Sequence, residues 1–219
     1  MLYILDKVFT EHQIEYWMSG GTFLGAIRHQ GIIPWDDDGD VEIFDSDEKK
    51  VANLGPELAT HGLMIMRTWF GFKIFPAHGK QIPGYQWLYP AIDIFVMKKK
   101  KSSPHVDSLI AYKHKRAQNA FGRCRFDHNL MYPLKRYQFG SFGLMGVNQR
   151  NIIPYFEKCY GRDWADHAYE QYDHENEKMK KRIKFKLTHD EKNPALPIDP
   201  VETYVDETMS QMSQSDHTY

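Results

Sequence analysis

Two different spacings of apolar residues occur along the first hundred positions of the chain. In residues 1–12 the apolar positions recur at helical spacing, which predicts an amphipathic helix. Short, almost continuous apolar runs follow at residues 14–18, 63–69, 72–75 and 91–97. Such runs, rich in β-branched and aromatic residues, are typical of buried strands. We therefore expect a domain that combines helices with strands, the α+β (mixed α/β) class.

A glycine pair separates the first predicted strand from a helix-compatible segment. Gly20 and Gly21 are followed by Thr22 and by an apolar stretch that ends at Arg28. Glycine lets an anion approach backbone N–H groups, and the helix dipole favours negative charge at this end. The turn is a candidate phosphate site, although most glycine pairs only make turns. Arg28 is either a phosphate contact or a structural ion-pair residue.

An acidic segment follows, and its second half has the alternation of a strand. Asp36, Asp38 and Asp40 are two residues apart, so the acids within the strand would share one face. Asp93 stands alone in a later apolar run, where a carboxylate is costly to bury unless it is paired, hydrogen-bonded or bound to metal. Carboxylates on neighbouring strands are the ligands that Mg²⁺ or Mn²⁺ prefers, so the four acids predict one metal site.

Other interpretations of these acids compete with a metal site. Residues 36–38 also fit a solvated acidic loop, and Asp93 also fits a strand edge that faces water. A calcium-binding loop is disfavoured, because Val41 occupies the position where that loop needs glycine and Asp47 replaces its terminal glutamate. The glycine turn, the alternating acids and the later strand acid occur together, which favours the metal site.

Composition limits the class of protein without choosing one. The chain has 219 residues, of which 42% are hydrophobic, enough for one compact domain. A formal net charge of -1 argues against a nucleic-acid coat, and no apolar run is long enough for a membrane span. The two cysteines are far apart and predict neither a disulfide framework nor a structural zinc site.

The charge pattern changes near the C-terminal end. Residues 1–175 carry the predicted elements and are interpreted as the catalytic domain. Residues 176–219 are charged and then rich in Ser and Thr, which predicts a mobile tail. Before that boundary, residues 106–120 and 164–172 are helical in outline, and residues 137–147 fit a strand or hairpin.

These segments together resemble the LicD family, which includes fukutin and fukutin-related protein. The motifs that carry the resemblance are WMSGGTFLGAIRH at residues 17–29, GIIPWDDDGD at residues 31–40, AIDIF at residues 91–95 and YGRDW at residues 160–164. The resemblance implies a nucleotidyltransferase-like mixed sheet flanked by helices. It also implies Mg²⁺-dependent transfer of a phosphorylated alcohol, such as phosphocholine or ribitol phosphate, from a CDP-activated donor to a glycan hydroxyl.

The resemblance further implies roles for individual residues. The expected metal ligands are Asp36, Asp38, Asp40 and Asp93, and the expected catalytic residues are Asp38, Asp40 and Asp93, the last as ligand or base. The expected donor contacts are Gly20, Gly21, Thr22 and Arg28. One position departs from the family: Gly39 stands where an aliphatic residue is common, and a glycine can loosen a strand.

Two other functions are compatible with the same residues. One is nucleotidyl transfer, in which NMP moves to a small molecule, and the other is a non-catalytic, glycan-binding relative that kept the fold. Clustered acids argue against the second, because they are costly to keep without a ligand. We expect a cytoplasmic protein if the chain is complete and a Golgi-lumenal one if it is a fragment of a eukaryotic family member. The sequence does not indicate an oligomeric state.

Overall fold

The computed structural model describes residues 1–100, 109–122 and 124–194. The helices are α1 (Leu2–Glu11), α2 (Gly20–Arg28), α3 (Glu48–Ala52), α4 (Gly55–Thr60), α5 (Lys115–Phe121) and α6 (Ile152–Tyr160). The strands are β1 (Tyr16–Met18), β2 (Gly39–Phe44), β3 (Leu63–Arg67), β4 (Gly71–Pro76), β5 (Lys80–Gln81), β6 (Leu88–Tyr89), β7 (Ile92–Lys100), β8 (Leu109–Tyr112), β9 (Lys135–Phe139), β10 (Phe142–Gly146), β11 (His167–Asp173) and β12 (Lys178–Lys186). Within these residues no helix has the length and apolar character needed to cross a bilayer.

A mixed six-stranded sheet lies at the centre of the fold. Its strand order is β1-β2-β7-β4-β3, and β8 pairs with the second half of β7. The β2 and β7 strands are parallel, whereas the other pairs in this sheet are antiparallel. The mixed sheet with flanking helices that the resemblance implied is therefore confirmed.

The register of the central strands brings charged residues side by side. Asp40 of β2 lies opposite Asp93 of β7, and Asp93 lies opposite Lys73 of β4 on its other edge. Directly paired residues in a sheet project to the same face. Two acids and one lysine thus share a face near the beginning of β2 and β7.

Buried aromatic residues hold the helices on this sheet. Trp17 of β1 is fully buried, and its indole N–H donates to Glu42 Oε2 of β2 over 2.8 Å. Phe23 of α2 is also fully buried and packs against Tyr137 and Phe156, with ring centroids 5.5 and 5.3 Å apart. These contacts hold β1 against β2 and hold α2 against β9 and α6.

Two segments that were predicted to be helical contain strands. Residues 109–112 form β8 before α5 begins, and residues 167–173 form β11. Residues 106–108 of the first predicted helix lie outside the described residues. Local propensity is a weak guide here, because pairing with β7 and β12 decides the conformation of both segments. By contrast, the hairpin predicted at residues 137–147 is confirmed as β9 and β10.

The C-terminal hairpin, comprising β11, β12 and their connecting turn, crosses the predicted boundary at residue 175. The sequence predicted a mobile tail from residue 176, but β12 pairs with β11 over most of its length. Phe185 packs on Trp35, with ring centroids 5.3 Å apart, and Leu187 is buried. The pairing was missed because a strand with a charge at almost every position has little apolar periodicity. Residues 195–219 of the predicted tail lie outside the described residues.

Candidate active site

Three carboxylates converge where β2 and β7 begin. Asp38, Asp40 and Asp93 each offer one ligand atom, and these atoms lie within 4.8 Å of one another. Asp40 and Asp93 are the second residues of parallel neighbours, and Asp38 lies in the loop just before β2. The structure therefore brings together the three acids that the sequence proposed as catalytic.

The glycine pair packs directly against the acidic segment. A Cβ atom on Gly20 would collide with Asp40 Oδ2, and one on Gly21 would collide with Asp36 Oδ2. Gly20 also has a φ of +52°, a left-handed conformation that glycine adopts without strain. The glycines thus let two carboxylates lie against the start of α2. Asp36, which was expected to be a metal ligand, is not one of the three acids whose ligand atoms lie within 4.8 Å of one another.

The first turn of α2 has both occupied and available hydrogen-bonding groups. The N–H of Gly20 donates to Tyr155 Oη over 2.9 Å, and the Thr22 hydroxyl accepts from the N–H of Asp40 over 2.7 Å. The N–H groups of Gly21 and Thr22 have no acceptor among the residues that the structure describes. The donors at the positive end of this helix are therefore these two backbone groups, rather than all the groups that the sequence proposed.

Two basic side chains, those of Lys73 and His174, contact the acids. Lys73 Nζ lies 2.5 Å from Asp93 Oδ1, and this lysine is only 4% exposed. His174, from the turn of the C-terminal hairpin, contacts Asp37 Oδ1 through Nδ1 at 2.6 Å and Asp38 Oδ2 through Nε2 at 3.1 Å. Burial by itself lowers the pKa of His174, but the carboxylates of Asp38 and Asp37 outweigh burial, so the pKa is raised.

The pKa values of the carboxylates are raised as well. Burial, followed by the charge of Asp38, raises the pKa of Asp36 to about 7. Burial raises the pKa of Asp93 to about 6 despite the opposing effect of Lys73. Burial and the neighbouring Asp38 and Asp93 raise the pKa of Asp40 well above its ordinary range. Crowded, partly desolvated carboxylates thus resist ionisation in the absence of a counter-ion.

A divalent cation fits this set of donors. The carboxylate of Asp40 makes no hydrogen bond or ion pair with a described residue, so the two nearby cations leave it uncompensated. Asp38, Asp40 and Asp93 offer the hard oxygen atoms that Mg²⁺ and Mn²⁺ prefer. A second group, made of Asp37, Asp38 and His174, also has its ligand atoms within 4.8 Å. The residues present therefore match the metal that the resemblance implies.

Arg28 lies in a different environment from the one expected of a donor contact. Its Nη1 group donates to the backbone carbonyl oxygens of Trp164, over 2.7 Å, and His167, over 2.9 Å. Burial lowers the pKa of Arg28 to about 10. These bonds connect the end of α2 to the start of β11. The structure therefore favours the structural alternative for Arg28.

Gly39, the departure from the family pattern, is accommodated in a regular strand. It pairs with Ile92, and the next residue, Asp40, pairs with Asp93 in unbroken register. A Cβ atom at Gly39 would lie 3.4 Å from side-chain atoms of Ile92 and Leu2. Leu2 of α1 thus reaches the space beside this glycine, and the acids that follow keep their alignment.

A side wall of the site joins the loop at residues 76–90 to the C-terminal hairpin. Glu177 accepts hydrogen bonds from Trp87 Nε1 and Tyr172 Oη, both over 2.9 Å. Lys73 Nζ lies 5.2 Å from the centroid of the Trp87 ring. The hairpin therefore contributes both His174 and Glu177 to the surroundings of the acids.

Neither residue from this turn was identified from the sequence. Tyr169 and Tyr172 precede the polar stretch Asp-His-Glu-Asn at residues 173–176, and Ile183 and Phe185 follow it. Aromatic and β-branched residues on both sides of a polar turn are typical of a hairpin. This signal was present in the sequence, but the surrounding charges obscured it.

The mixed sheet carries its carboxylates beside a glycine-initiated helix, which agrees with the nucleotidyltransferase-like domain that the resemblance implied. This chain belongs to the LicD/FKTN/FKRP family, whose nucleotidyltransferase-domain model matches residues 13–146. The matched range contains the glycine pair, the acidic segment and β7. The C-terminal hairpin lies beyond it.

Individual relatives share very different portions of the chain. An uncharacterised protein of Rickettsia typhi is 30% identical over 218 residues, which are 97% of this chain and 62% of that protein. The lipopolysaccharide cholinephosphotransferase LicD of Haemophilus influenzae is 30% identical over 129 residues, 52% of this chain and 46% of that enzyme. Human ribitol 5-phosphate transferase FKRP is 55% identical over 31 residues, 14% of this chain and 6% of that enzyme. Both named relatives transfer phosphate-containing groups.

Proposed function

We propose that this chain transfers a phosphorylated alcohol from a CDP-activated donor to a glycan hydroxyl, with Mg²⁺ or Mn²⁺ at the acids. The observation that carries the proposal is the convergence of Asp38, Asp40 and Asp93 within 4.8 Å beside the start of α2. Lipopolysaccharide cholinephosphotransferase and ribitol 5-phosphate transferase, both named members of the family, support this reaction class.

The metal site in this proposal is formed by Asp38, Asp40 and Asp93, with Asp36 beside them. These carboxylates would hold a divalent cation, which would supply positive charge to neutralise the diphosphate during in-line attack. Gly20 and Gly21 permit this arrangement, because any side chain there would displace a carboxylate. The glycines therefore shape the metal site in addition to beginning the helix.

Donor and acceptor are handled by different groups. The available N–H groups of Gly21 and Thr22, at the positive end of α2, bind a donor phosphate oxygen. Asp93 lies among the metal ligands and is also the carboxylate assigned to accept the proton of the attacking hydroxyl. Lys73 orients Asp93 through their 2.5 Å ion pair. The start of α2 thus positions the donor phosphate, and Asp93 accepts the proton of the acceptor hydroxyl.

The reaction is tested by incubating the folded, Mg²⁺-loaded protein with CDP-choline, CDP-ribitol or CDP-glycerol and a glycan acceptor. We expect CMP release that depends on the acceptor, and an acceptor mass increased by the phosphorylated alcohol. An acceptor that gains CMP instead would identify nucleotidyl transfer. Absence of turnover with every donor, with glycan binding retained, would favour the non-catalytic alternative.

A further inference from the structure

Strand β12 concentrates positive charge in a chain that is nearly neutral overall. Its nine residues, KMKKRIKFK, include six lysines or arginines and no acid. Eight of the nine are exposed to solvent, with only Phe185 partly buried. The strand therefore presents a continuous basic surface rather than an isolated lysine.

Ion pairs within the protein account for only part of this charge. Lys184 Nζ lies 2.5 Å from Asp163 Oδ2, and Lys180 Nζ lies 3.5 Å from Asp173 Oδ2. The cations of β12 that make no ion pair with a described residue are Lys178, Lys181, Arg182 and Lys186. Of these, Arg182 lies over the ring of Tyr169, 4.2 Å from its centroid, so Lys178, Lys181 and Lys186 are the three positive charges without such a contact among the described residues.

The fold of the hairpin does not explain the excess charge. Ala168 and Leu187 are buried, and Phe185 packs on Trp35, so apolar contacts anchor the hairpin to the domain. Cations at alternate positions of one strand repel each other and oppose pairing rather than favour it. A charge distribution that folding does not need is expected to serve an interaction.

The basic strand begins next to the acidic site. Lys178 directly follows Glu177, which holds Trp87 and Tyr172, and His174 in the same turn contacts the site acids. Nine residues of strand extend roughly 30 Å at about 3.3 Å per residue. A linear molecule bound along β12 would therefore have one part beside the acids.

We propose that β12 is the docking surface for an anionic glycan, a sugar polymer that bears carboxylate, phosphate or sulfate groups. Its role as the acceptor rests on the proposed function. The basic surface then holds the polymer while one of its neutral hydroxyls lies at the acidic site. Complementary charge also speeds encounter and makes binding sensitive to salt.

A polymeric sugar matches this surface better than a bilayer or a nucleic acid. Lys181 lies on the opposite face of the strand from Lys180 and Arg182, and all three are exposed. A flexible polymer can contact both faces, whereas a planar bilayer contacts one. Between the two kinds of polymer, the proposed function favours the sugar, because its acceptor group is a glycan hydroxyl; binding of a nucleic acid is an outcome of the test.

Binding of the full chain to labelled polygalacturonate, heparin and neutral dextran tests the proposal without donor or metal. We expect both acidic polymers to bind in a salt-dependent manner and dextran not to bind.

K181E/R182E is expected to weaken binding of the acidic polymers at least about tenfold. The control K7E/K49E has the same change of charge at exposed residues of α1 and α3. K181Q/R182Q, with a smaller loss expected, gives a second test, and thermal melts confirm folding.

Several outcomes would overturn the inference. These are equal weakening in K7E/K49E, unchanged binding in both hairpin variants, and tighter binding to phosphatidylglycerol vesicles or single-stranded DNA than to either polysaccharide. Where turnover is detectable, K181E/R182E must raise the acceptor KM and leave CMP release to water unchanged. Polymer binding that depends on β12 without any turnover would support the docking surface and count against the proposed function alone.

Discussion

The carboxylate of Asp40 lies among other acids without a partner of its own, so Asp40→Asn should separate activity from stability. We expect CMP release to fall at least about a hundredfold, because a metal ligand contributes several kcal/mol to catalysis. The melting temperature of the metal-free protein should stay equal or rise, since the substitution relieves repulsion. Asp45→Asn, at an exposed acid just after β2, is the control. An equally active Asp40→Asn enzyme would contradict the metal assignment.

Gly20 and Gly140 provide a matched pair for the role of the glycine turn. Both have left-handed backbones, with φ of +52° and +63°, but a Cβ at Gly140 would meet no atom within 4 Å. Gly140→Ala should cost about 1 kcal/mol of unfolding free energy, the strain alone. Gly20→Ala should cost more than about 2 kcal/mol, because its Cβ also collides with Asp40.

Urea unfolding of these two glycine variants, together with calorimetric titration of Mg²⁺, measures the difference. Metal affinity should fall in Gly20→Ala and stay unchanged in Gly140→Ala. Equal losses of stability and unchanged metal affinity in both variants would show that the glycine serves the backbone only.

At the scale of elements, Arg28 connects α2 to β11. Arg28→Ala should lower the unfolding free energy by roughly 2 kcal/mol, because two hydrogen bonds from a charged donor are lost. Limited proteolysis should then cleave the C-terminal hairpin faster. Arg150→Ala, at an exposed arginine of the segment before α6, should change neither quantity. A higher donor KM with unchanged stability would instead support the prediction that Arg28 contacts the donor phosphate.

Elements were predicted well where their apolar pattern was local and regular. The helix in residues 1–12 and the strand in residues 14–18 are observed as α1 and β1, each slightly shorter than predicted. The segments that became β8 and β11 were interpreted as helical, because their pairing partners lie elsewhere in the chain. Pairing energy from a distant strand overrides a weak local preference.

For the molecule as a whole, the raised carboxylate pKa values predict how stability depends on pH. The folded pKa values of Asp36, about 7, and Asp93, about 6, lie above the ordinary value of 3.8. The folded state therefore binds these protons more tightly than the unfolded state does. The stability that these two carboxyl groups contribute is fully present below pH 3.8 and is lost as the pH rises through 6 and 7. The raised pKa of His174 acts in the same direction.

Melting temperatures in EDTA should accordingly fall across this interval, and added Mg²⁺ should restore stability most strongly near its upper end. Asp36→Asn should flatten the upper part of the decline. His29, whose pKa is lowered by burial to about 4, opposes the trend up to its ordinary value of 6.5. Glu48 opposes the trend only at the acid end, because Lys113 and Arg67 lower its pKa although burial raises it. A metal-free protein that becomes more stable from pH 5 to pH 7 would contradict the assignment.

The sequence by itself determined the class of fold, the family and the identity of the acids, because periodicity, the glycine pair and Asp36 to Asp40 lie within short stretches of chain. Only the tertiary structure decided that Asp40 pairs with Asp93 and that Arg28 donates to the carbonyl oxygens of Trp164 and His167. It also brought His174 to the site from a hairpin whose first strand was predicted to be helical and whose second strand was assigned to the tail. Such contacts depend on strand register and long-range packing, which local spacing does not encode.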